Sequence, residues 1–171
     1  LVDLHDPFED PAVYLDSKYR RDGILFDLGD LRNLVPRNIL KVRHVFVSHA
    51  HMDHYDIPSL KRLPRDVPTI MARDPSEFVN GLGFGRLHEL DWGQRAEVDG
   101  VRIEAVPVRH WGRRYPWDRE RGYNGLLLTK HKRSLLFAGD TAYSGELISA
   151  LKDRRPEVVI LPIGGYDPYI Y

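Results

Sequence analysis

The sequence contains no cysteine, no excess of either charge and no long apolar run. Without cysteine, a disulfide framework and any thiolate metal site are excluded, so imidazole and carboxylate are the side chains left to bind metal. Twenty-five lysines and arginines balance twenty-five aspartates and glutamates, which argues against nucleic acid or an anionic membrane as a partner. We expect a cytoplasmic protein, because the composition fits a reducing compartment.

Targeting and membrane signals are also missing. No stretch of eighteen apolar residues is present, and the first ten residues, LVDLHDPFED, lack the basic and apolar regions of a signal peptide. We therefore expect no transmembrane segment. At 171 residues the chain suits one domain with a buried core, and we assign residues 1–171 to a single domain.

Short apolar runs alternate with turn signals along the whole chain. AVYLD (12–16) and ILFDL (24–28) flank a charged turn and predict a hairpin, and Asp99-Gly100 predicts a second hairpin turn. The other predicted elements are, in chain order, a strand at 44–48, a short helix capped by Asp56, a strand at 67–72, a helix ending near Gly81, strands within 86–108, strands at 125–129 and 134–138 joined by the turn KHKR, a helix at 145–153 and a buried strand at 158–163. Runs of strands with helices between them predict an α/β fold with two sheets covered by helices.

The segment VFVSHAHMDHYDIPSL (45–60) gathers three histidines and an aspartate where a predicted strand gives way to a helix. His49 and His51 are two residues apart on extended chain, so their side chains can point the same way. Asp53 and His54 follow the turn and can face a second point nearby. Two imidazoles for one ion, and a carboxylate with an imidazole for its neighbour, are ligands that a two-metal hydrolytic site requires. The alternative is a polar loop whose histidines only cap the helix.

Two later segments each end a predicted strand with a residue able to bind metal. His110 follows VPVR, and Asp140 follows LLFAG. Each alone is more often a surface histidine or a turn aspartate. Taken in order, however, H-x-H-x-D-H, a strand-end histidine and a strand-end aspartate resemble the metallo-β-lactamase superfamily from about residue 24 onward.

The resemblance implies a four-layer αβ/βα sandwich with two metal ions at one edge. The ligands that it implies are His49, His51 and His110 for the first ion, Asp53 and His54 for the second, and Asp140 as a bridge between them. Asp27, in ILFDLG, resembles an aspartate that braces the site without binding metal. His51 stands where iron-dependent members typically carry glutamate, so the resemblance implies two Zn²⁺ ions, with Mn²⁺ as the alternative.

The resemblance within the superfamily divides between two branches. IEAVPVRHWGRR, LLFAGDTAYS and VVILPIGGYDP resemble the branch of N-acyl-phosphatidylethanolamine phospholipase D and ascorbate-phosphate lactonase. ILFDLGDLRNL and the segment that leads into HAHMDH are more similar to ribonuclease Z. Zero net charge, and the lack of a glycine- and proline-rich arm for transfer RNA, favour the first branch.

The function that this branch implies is hydrolysis of a small phosphodiester or lactone by a zinc-bridged hydroxide, with Asp53 as a catalytic residue that aims the nucleophile. The alternatives are a ribonuclease Z-like endonuclease and a non-catalytic binding subunit with the same fold. Arg113 and Arg114 are candidates to bind a phosphate oxygen, and Trp111 is a candidate to line the substrate mouth. A solvated basic loop, with its aromatic residues packed on the sandwich, is the alternative for these residues. Neither substrate identity nor oligomeric state is predicted.

One expected ligand is missing from the sequence. Superfamily members normally complete the second site with a histidine after the strand that here contains VVILPI, and no histidine follows Asp140. We therefore expect the catalytic domain to be incomplete at its C-terminus and to continue past Tyr171 with that histidine and a covering helix. The remaining histidines, expected to be surface or packing residues, are His5, His44, His88 and His131.

Overall fold

A computed structural model describes residues 2–3, 12–16 and 22–163. The described strands form a six-stranded and a five-stranded sheet. The first sheet contains, in spatial order, β1 (Val2–Asp3), β2 (Val13–Asp16), β3 (Gly23–Phe26), β4 (Val42–Val47), β5 (Thr69–Ala72) and β6 (Leu87–Leu90). The second contains β7 (Arg95–Val98), β8 (Val101–Val106), β9 (Gly125–Lys130), β10 (Arg133–Phe137) and β11 (Val158–Ile160). The helices are α1 (Pro36–Ile39), α2 (Ile57–Leu60), α3 (Gly145–Leu151) and a 3₁₀ helix, Pro75–Val79.

The predicted hairpins are present. Strands β2 and β3 pair antiparallel with Val13 opposite Phe26, while the turn at 17–21 lies outside the described residues. Asp99 and Gly100 join β7 to β8, and both take the positive φ that a two-residue type I′ turn requires, at 51° and 74°. From β3 to β6 the pairing is parallel, so helices and loops make the crossovers.

An apolar core cluster draws its residues from both sheets, which therefore pack face to face. Phe26 and Phe46 of the first sheet stack with ring centroids 5.3 Å apart, and Phe137 of the second sheet lies 4.9 Å from Phe26. A second cluster fills the outer face of the first sheet beneath α1 and α2, and a third lies between the second sheet and Leu147 of α3. These layers confirm the α/β sandwich.

The short helix after the histidine-rich segment forms as predicted. The Asp56 carboxylate accepts a hydrogen bond from the Ser59 backbone N–H at 2.8 Å, and Pro58 occupies the first turn, where a missing N–H costs nothing. The cap fixes where the chain leaves the histidine-rich segment. No helix of the described residues is long and apolar enough to cross a bilayer.

Two details differ from the sequence predictions. The helix expected to end near Gly81 is a five-residue 3₁₀ helix that ends at Val79. The strand expected to be buried, 158–163, is short and exposed: β11 is an edge strand, and Val158 and Val159 are 51% and 45% accessible. Its apolar composition resembles that of an inner strand, but no described residue covers its outer face.

Candidate metal centre

Three strands deliver the candidate ligands, and a fourth delivers Asp27, to one edge of the sandwich. Phe26 ends β3 just before Asp27, Val47 ends β4 before the histidine-rich segment, and β8 and β10 end ahead of His110 and Asp140. Single β-bridges continue the pairing past the strand ends, from His49 to Tyr123 and from Arg109 to Ala142. Because the two sheets face each other, these ends meet across the opening between them.

The first cluster consists of His49, His51 and His110, whose ligand atoms all lie within 4.8 Å of one another. Nε2 of His110 is 3.1 Å from Nε2 of His49 and 3.3 Å from Nδ1 of His51. Nδ1 of His49 faces the Ser48 hydroxyl at 2.8 Å, which leaves Nε2 directed at the cluster.

The second cluster consists of His49, His54 and Asp140, again within 4.8 Å. Nε2 of His54 lies 3.2 Å from Oδ2 of Asp140 and 3.3 Å from Oδ2 of Asp53. Asp53 therefore reaches the same nitrogen as Asp140. His49 belongs to both clusters, so the two groups of ligand atoms adjoin. Among the residues that the structure describes, no other group of three or more such side chains could hold an ion.

Asp27 is buried behind the second cluster and fixes His54. Its Oδ2 receives hydrogen bonds from Nδ1 of His54 at 2.7 Å and from the Ser48 hydroxyl at 2.9 Å, while Oδ1 accepts from the Ser48 backbone N–H at 2.7 Å. Because Nδ1 of His54 donates to this carboxylate, Nε2 is left to bind metal. The bracing role of Asp27 is the one that the family resemblance implies. Ser48 was not predicted, and its only signal in the sequence is its place between a strand and His49.

Gly139 permits the close approach of the strand end that carries Asp140. Its φ is 59°, and a Cβ atom there would lie 2.3 Å from Cβ of Ser48. A side chain at this position would therefore meet both an unfavourable backbone conformation and a steric clash. The glycine that precedes Asp140 in the sequence is needed for packing against the Asp27–Ser48 network.

Burial keeps two of the clustered imidazoles neutral. Burial lowers the pKa of His49 well below its usual value, and the neighbouring histidines lower it further. Burial also lowers the pKa of His110 to about 4, although the Asp140 carboxylate opposes the change. Both rings are therefore neutral at neutral pH, which is the form in which histidine binds a metal ion.

The carboxylates act in the opposite direction on His54. Burial alone would lower its pKa, but Asp27, Asp140 and Asp53 outweigh burial and hold the pKa of His54 well above its usual value. Burial works to raise the pKa values of Asp53 and Asp140, but hydrogen bonding to His54 prevails and lowers both. In the metal-free protein this edge therefore combines the neutral imidazoles of His49 and His110 with a protonated His54 and the ionised carboxylates around it.

The donor set fits divalent metal ions. Nε2 of His110 carries at most one proton, so it cannot hydrogen-bond to both His49 and His51. The pKa of His51 is lowered as well, so three imidazole nitrogens with free lone pairs converge on one point, and a cation bound among them would stabilise this arrangement. Imidazole nitrogen with added carboxylate oxygen is a ligand set that suits zinc, and no thiolate is available in this sequence.

The loop after His110 borders the clusters. The Trp111 ring is 56% exposed and lies 4.5 Å from the His110 ring and 5.2 Å from the His51 ring, centroid to centroid. Arg113 is exposed and pairs with Glu120 at 3.2 Å. Trp117 is 83% exposed and stacks on Tyr115, with the ring centroids 5.6 Å apart.

Arg114 lies deeper, with Nη1 2.7 Å from the Ala50 carbonyl oxygen and 2.9 Å from that of Tyr55. Its guanidinium is thus engaged with backbone, and its predicted role in substrate binding is untested. Of the histidines outside the clusters, His44 pairs with Asp99 at 3.3 Å, and His131 occupies the turn between β9 and β10. His5 lies outside the described residues.

Known protein families and relatives match most of this chain. The sequence model of a family described as "Beta-lactamase superfamily domain" matches residues 5–170. The mitochondrial N-acyl-phosphatidylethanolamine-hydrolyzing phospholipase D of Saccharomyces cerevisiae is 32% identical over an alignment that covers 92% of this chain. A metal-dependent hydrolase of Thermoplasma acidophilum is 26% identical over 74% of it. The chain spans only 38% of the yeast protein and 55% of the archaeal one.

Solved structures show the same fold. A metallo hydrolase from Ignicoccus hospitalis has a TM-score of 0.65 at 22% identity, covering 91% of this chain and 68% of that one. The isothiocyanate hydrolase from Delia radicum gut bacteria has a TM-score of 0.62 at 19% identity, covering 86% and 66%. At these identities the likeness establishes the architecture and leaves the substrate open.

Proposed function

Because this chain belongs to the metallo-β-lactamase superfamily, we propose that its two clusters bind two zinc ions and that it is a hydrolase of phosphodiesters. The observation that carries the proposal is the position of His49 in both clusters. Because His49 adjoins both groups, the three-histidine cluster lies beside His54 and Asp140, and Asp53 contacts the same His54 nitrogen as Asp140 does. Two adjoining metal ions with carboxylates between them form the arrangement that hydrolytic two-metal sites use.

Zinc bound at these clusters would supply hydroxide at neutral pH, since it lowers the pKa of a bound water to about 7. Asp53 is suited to orient that nucleophile, because its side chain is 49% exposed at the opening and ionised. Asp27 accepts the proton of Nδ1 of His54, so Nε2 is the nitrogen of that ring that would bind a metal ion. Trp111 lies beside the rings of His110 and His51 at one side of the opening, where it is placed to contact a substrate.

A phosphodiester substrate has two supports. The yeast relative is named a phospholipase D, and segments around His110 and Asp140 resemble that branch. In addition, Arg113 lies on the loop after His110 with its side chain exposed, and a guanidinium can bind a phosphate oxygen through paired N–H donors. A lactone is the second candidate, on the resemblance to the lactonase of the same branch. A cytoplasmic location stays a prediction, since the yeast relative is named mitochondrial.

The test combines metal analysis with a substrate panel. We expect the zinc-loaded protein to hold up to two equivalents of zinc and to hydrolyse a chromogenic phosphodiester or a phospholipid faster than a lactone or a transfer-RNA precursor. His49→Ala and His110→Ala should lose metal chiefly from the first cluster, and Asp53→Ala chiefly from the second. Unchanged metal content in all three variants would overturn the metal centre. Metal binding without turnover of any substrate would instead support a non-catalytic binding subunit.

A further inference from the structure

We propose that Arg114 is a positioning residue that holds both ends of the metal-binding segment and thereby sets the affinity for metal. The inference rests on the proposed metal centre. It gives Arg114 a role different from the direct phosphate contact that the sequence alone suggests, and it separates Arg114 from its neighbour Arg113.

The geometry places one guanidinium nitrogen between two carbonyl groups. Nη1 of Arg114 donates to the Ala50 oxygen at 2.7 Å and to the Tyr55 oxygen at 2.9 Å. Ala50 and Tyr55 flank residues 51–54, which contain three of the candidate ligands, and both are fully buried. The single donor nitrogen therefore fixes the distance between the two ends of the segment.

The Arg114 side chain is itself held in place. Its guanidinium carbon lies 5.0 Å from the Phe78 ring centroid and 5.9 Å from that of Tyr115, so aromatic faces flank the cation. Among the described residues, no carboxylate forms an ion pair with Arg114. Its positive charge is therefore directed at the two carbonyl groups, where hydrogen bonds from a charged donor are stronger than those between neutral groups.

Arg114 also connects two ligand-bearing segments. It follows His110 by four residues, and the carbonyls that it binds flank His51 and His54. When it is bound to both carbonyls, the His110 loop and the histidine-rich segment move as one unit. Ligands that are held at their binding distances before the metal arrives lose less conformational entropy when it binds. Loss of this contact should therefore lower the affinity for metal more than it lowers the stability of the fold.

Two other arginines provide matched controls. Arg62 also donates to two backbone carbonyls, those of Leu31 and Leu34, the latter at 3.0 Å, but neither carbonyl belongs to a ligand-bearing segment. Arg113 has the same charge and lies on the same loop, but it forms an exposed pair with Glu120. Arg62→Met therefore reports the loss of a carbonyl clamp elsewhere, and Arg113→Met reports the loss of charge near the site.

The experiment measures Co²⁺ and Zn²⁺ affinity, the visible spectrum of the Co²⁺-bound protein and the melting temperature of the metal-free protein. We expect Arg114→Met to weaken metal binding by about tenfold or more, in the range for supporting residues around metal ligands, and to change the Co²⁺ spectrum. Arg114→Lys should recover part of the affinity, since an ammonium group can still donate to a carbonyl. Arg62→Met should lower the melting temperature by about as much as Arg114→Met does, while its affinity for metal stays that of wild type. Arg113→Met should change neither the melting temperature nor the affinity for metal.

The outcomes separate this inference from the proposed function. If the wild-type protein binds no metal, both are overturned. If wild type binds metal and Arg114→Met binds it with equal affinity, only the role of Arg114 is overturned. The role of Arg114 is also overturned if Arg62→Met and Arg114→Met lower the affinity for metal equally, because the effect then reflects general destabilisation. Should Arg114→Met not fold, the comparison of Arg114→Lys with wild type decides the question by the same affinity and spectral measurements.

Discussion

Replacing Asp27 with asparagine tests the network behind the second cluster with the smallest chemical change. The carboxylate accepts three hydrogen bonds, two at Oδ2 from His54 and the Ser48 hydroxyl and one at Oδ1 from the Ser48 backbone N–H. An asparagine retains only one acceptor oxygen and replaces the other with a donor NH₂ group. Whichever way the amide is oriented, a donor faces a donor.

The two orientations have different consequences. If the amide oxygen stays on the Ser48 backbone N–H, the NH₂ group faces Nδ1 of His54, which must then become an acceptor and move its proton to Nε2. That proton blocks metal binding at the second cluster. If the oxygen stays on His54, the buried Ser48 N–H loses its partner, which costs about 1–3 kcal/mol of unfolding free energy. We therefore expect Asp27→Asn to lose about 1–3 kcal/mol of stability, or about 10–100-fold in metal affinity, or part of each.

The assay is urea unfolding of the metal-free protein together with stepwise zinc titration. Asp56→Asn is the matched control, because its carboxylate accepts one helix-capping bond from the Ser59 N–H, and asparagine caps a helix about as well. The control should change neither measurement. An Asp27→Asn variant with wild-type stability and wild-type affinity at both steps would refute the assignment of Asp27 as the residue that sets the proton position on His54.

Three further predictions concern single residues. Gly139→Ala should lower the unfolding free energy by about 2–4 kcal/mol, since its φ of 59° is unfavourable for alanine and its Cβ would lie 2.3 Å from Cβ of Ser48; a urea curve that matches wild type would contradict this. The pKa of His110 is about 4 in the metal-free fold, below its usual 6.5, so the unfolded chain takes up this proton first as pH falls. The metal-free His110→Asn variant should therefore gain stability relative to wild type between pH 6.5 and about 4, and a pH-independent difference in chemical denaturation would refute the assignment. Arg113→Ala should lower kcat/KM for phosphorylated substrates by an amount worth about 1.5–3 kcal/mol, and an equal loss on a neutral lactone would argue against phosphate binding.

The local sequence was sufficient to predict the structural features that depend only on residues close together in the chain. The Asp99-Gly100 turn, the Asp56 cap and the hairpin of β2 and β3 follow from backbone preferences and alternation over a few residues, and all are present in the structure. The spacing from His49 to His54 likewise predicts a metal site, and the structure brings these histidines together. Local patterns were wrong for two elements. The helix expected to end near Gly81 is a 3₁₀ helix, Pro75–Val79. The apolar strand β11 is an exposed edge strand, because burial depends on which elements cover a strand and not on its own composition.

The tertiary structure alone decided how the site is supported. Nothing in the spacing of the chain indicates that Ser48 donates to Asp27, that Gly139 must lack a side chain because Ser48 lies against it, or that Arg114 binds the carbonyls of Ala50 and Tyr55. These contacts join residues 21 to 91 positions apart in the sequence, and they exist because the ends of strands from two facing sheets meet at one edge. The candidate ligands could be chosen from motifs in the local sequence, but their convergence on one point and the hydrogen bonds that hold them there are long-range and arise only when the two sheets pack together.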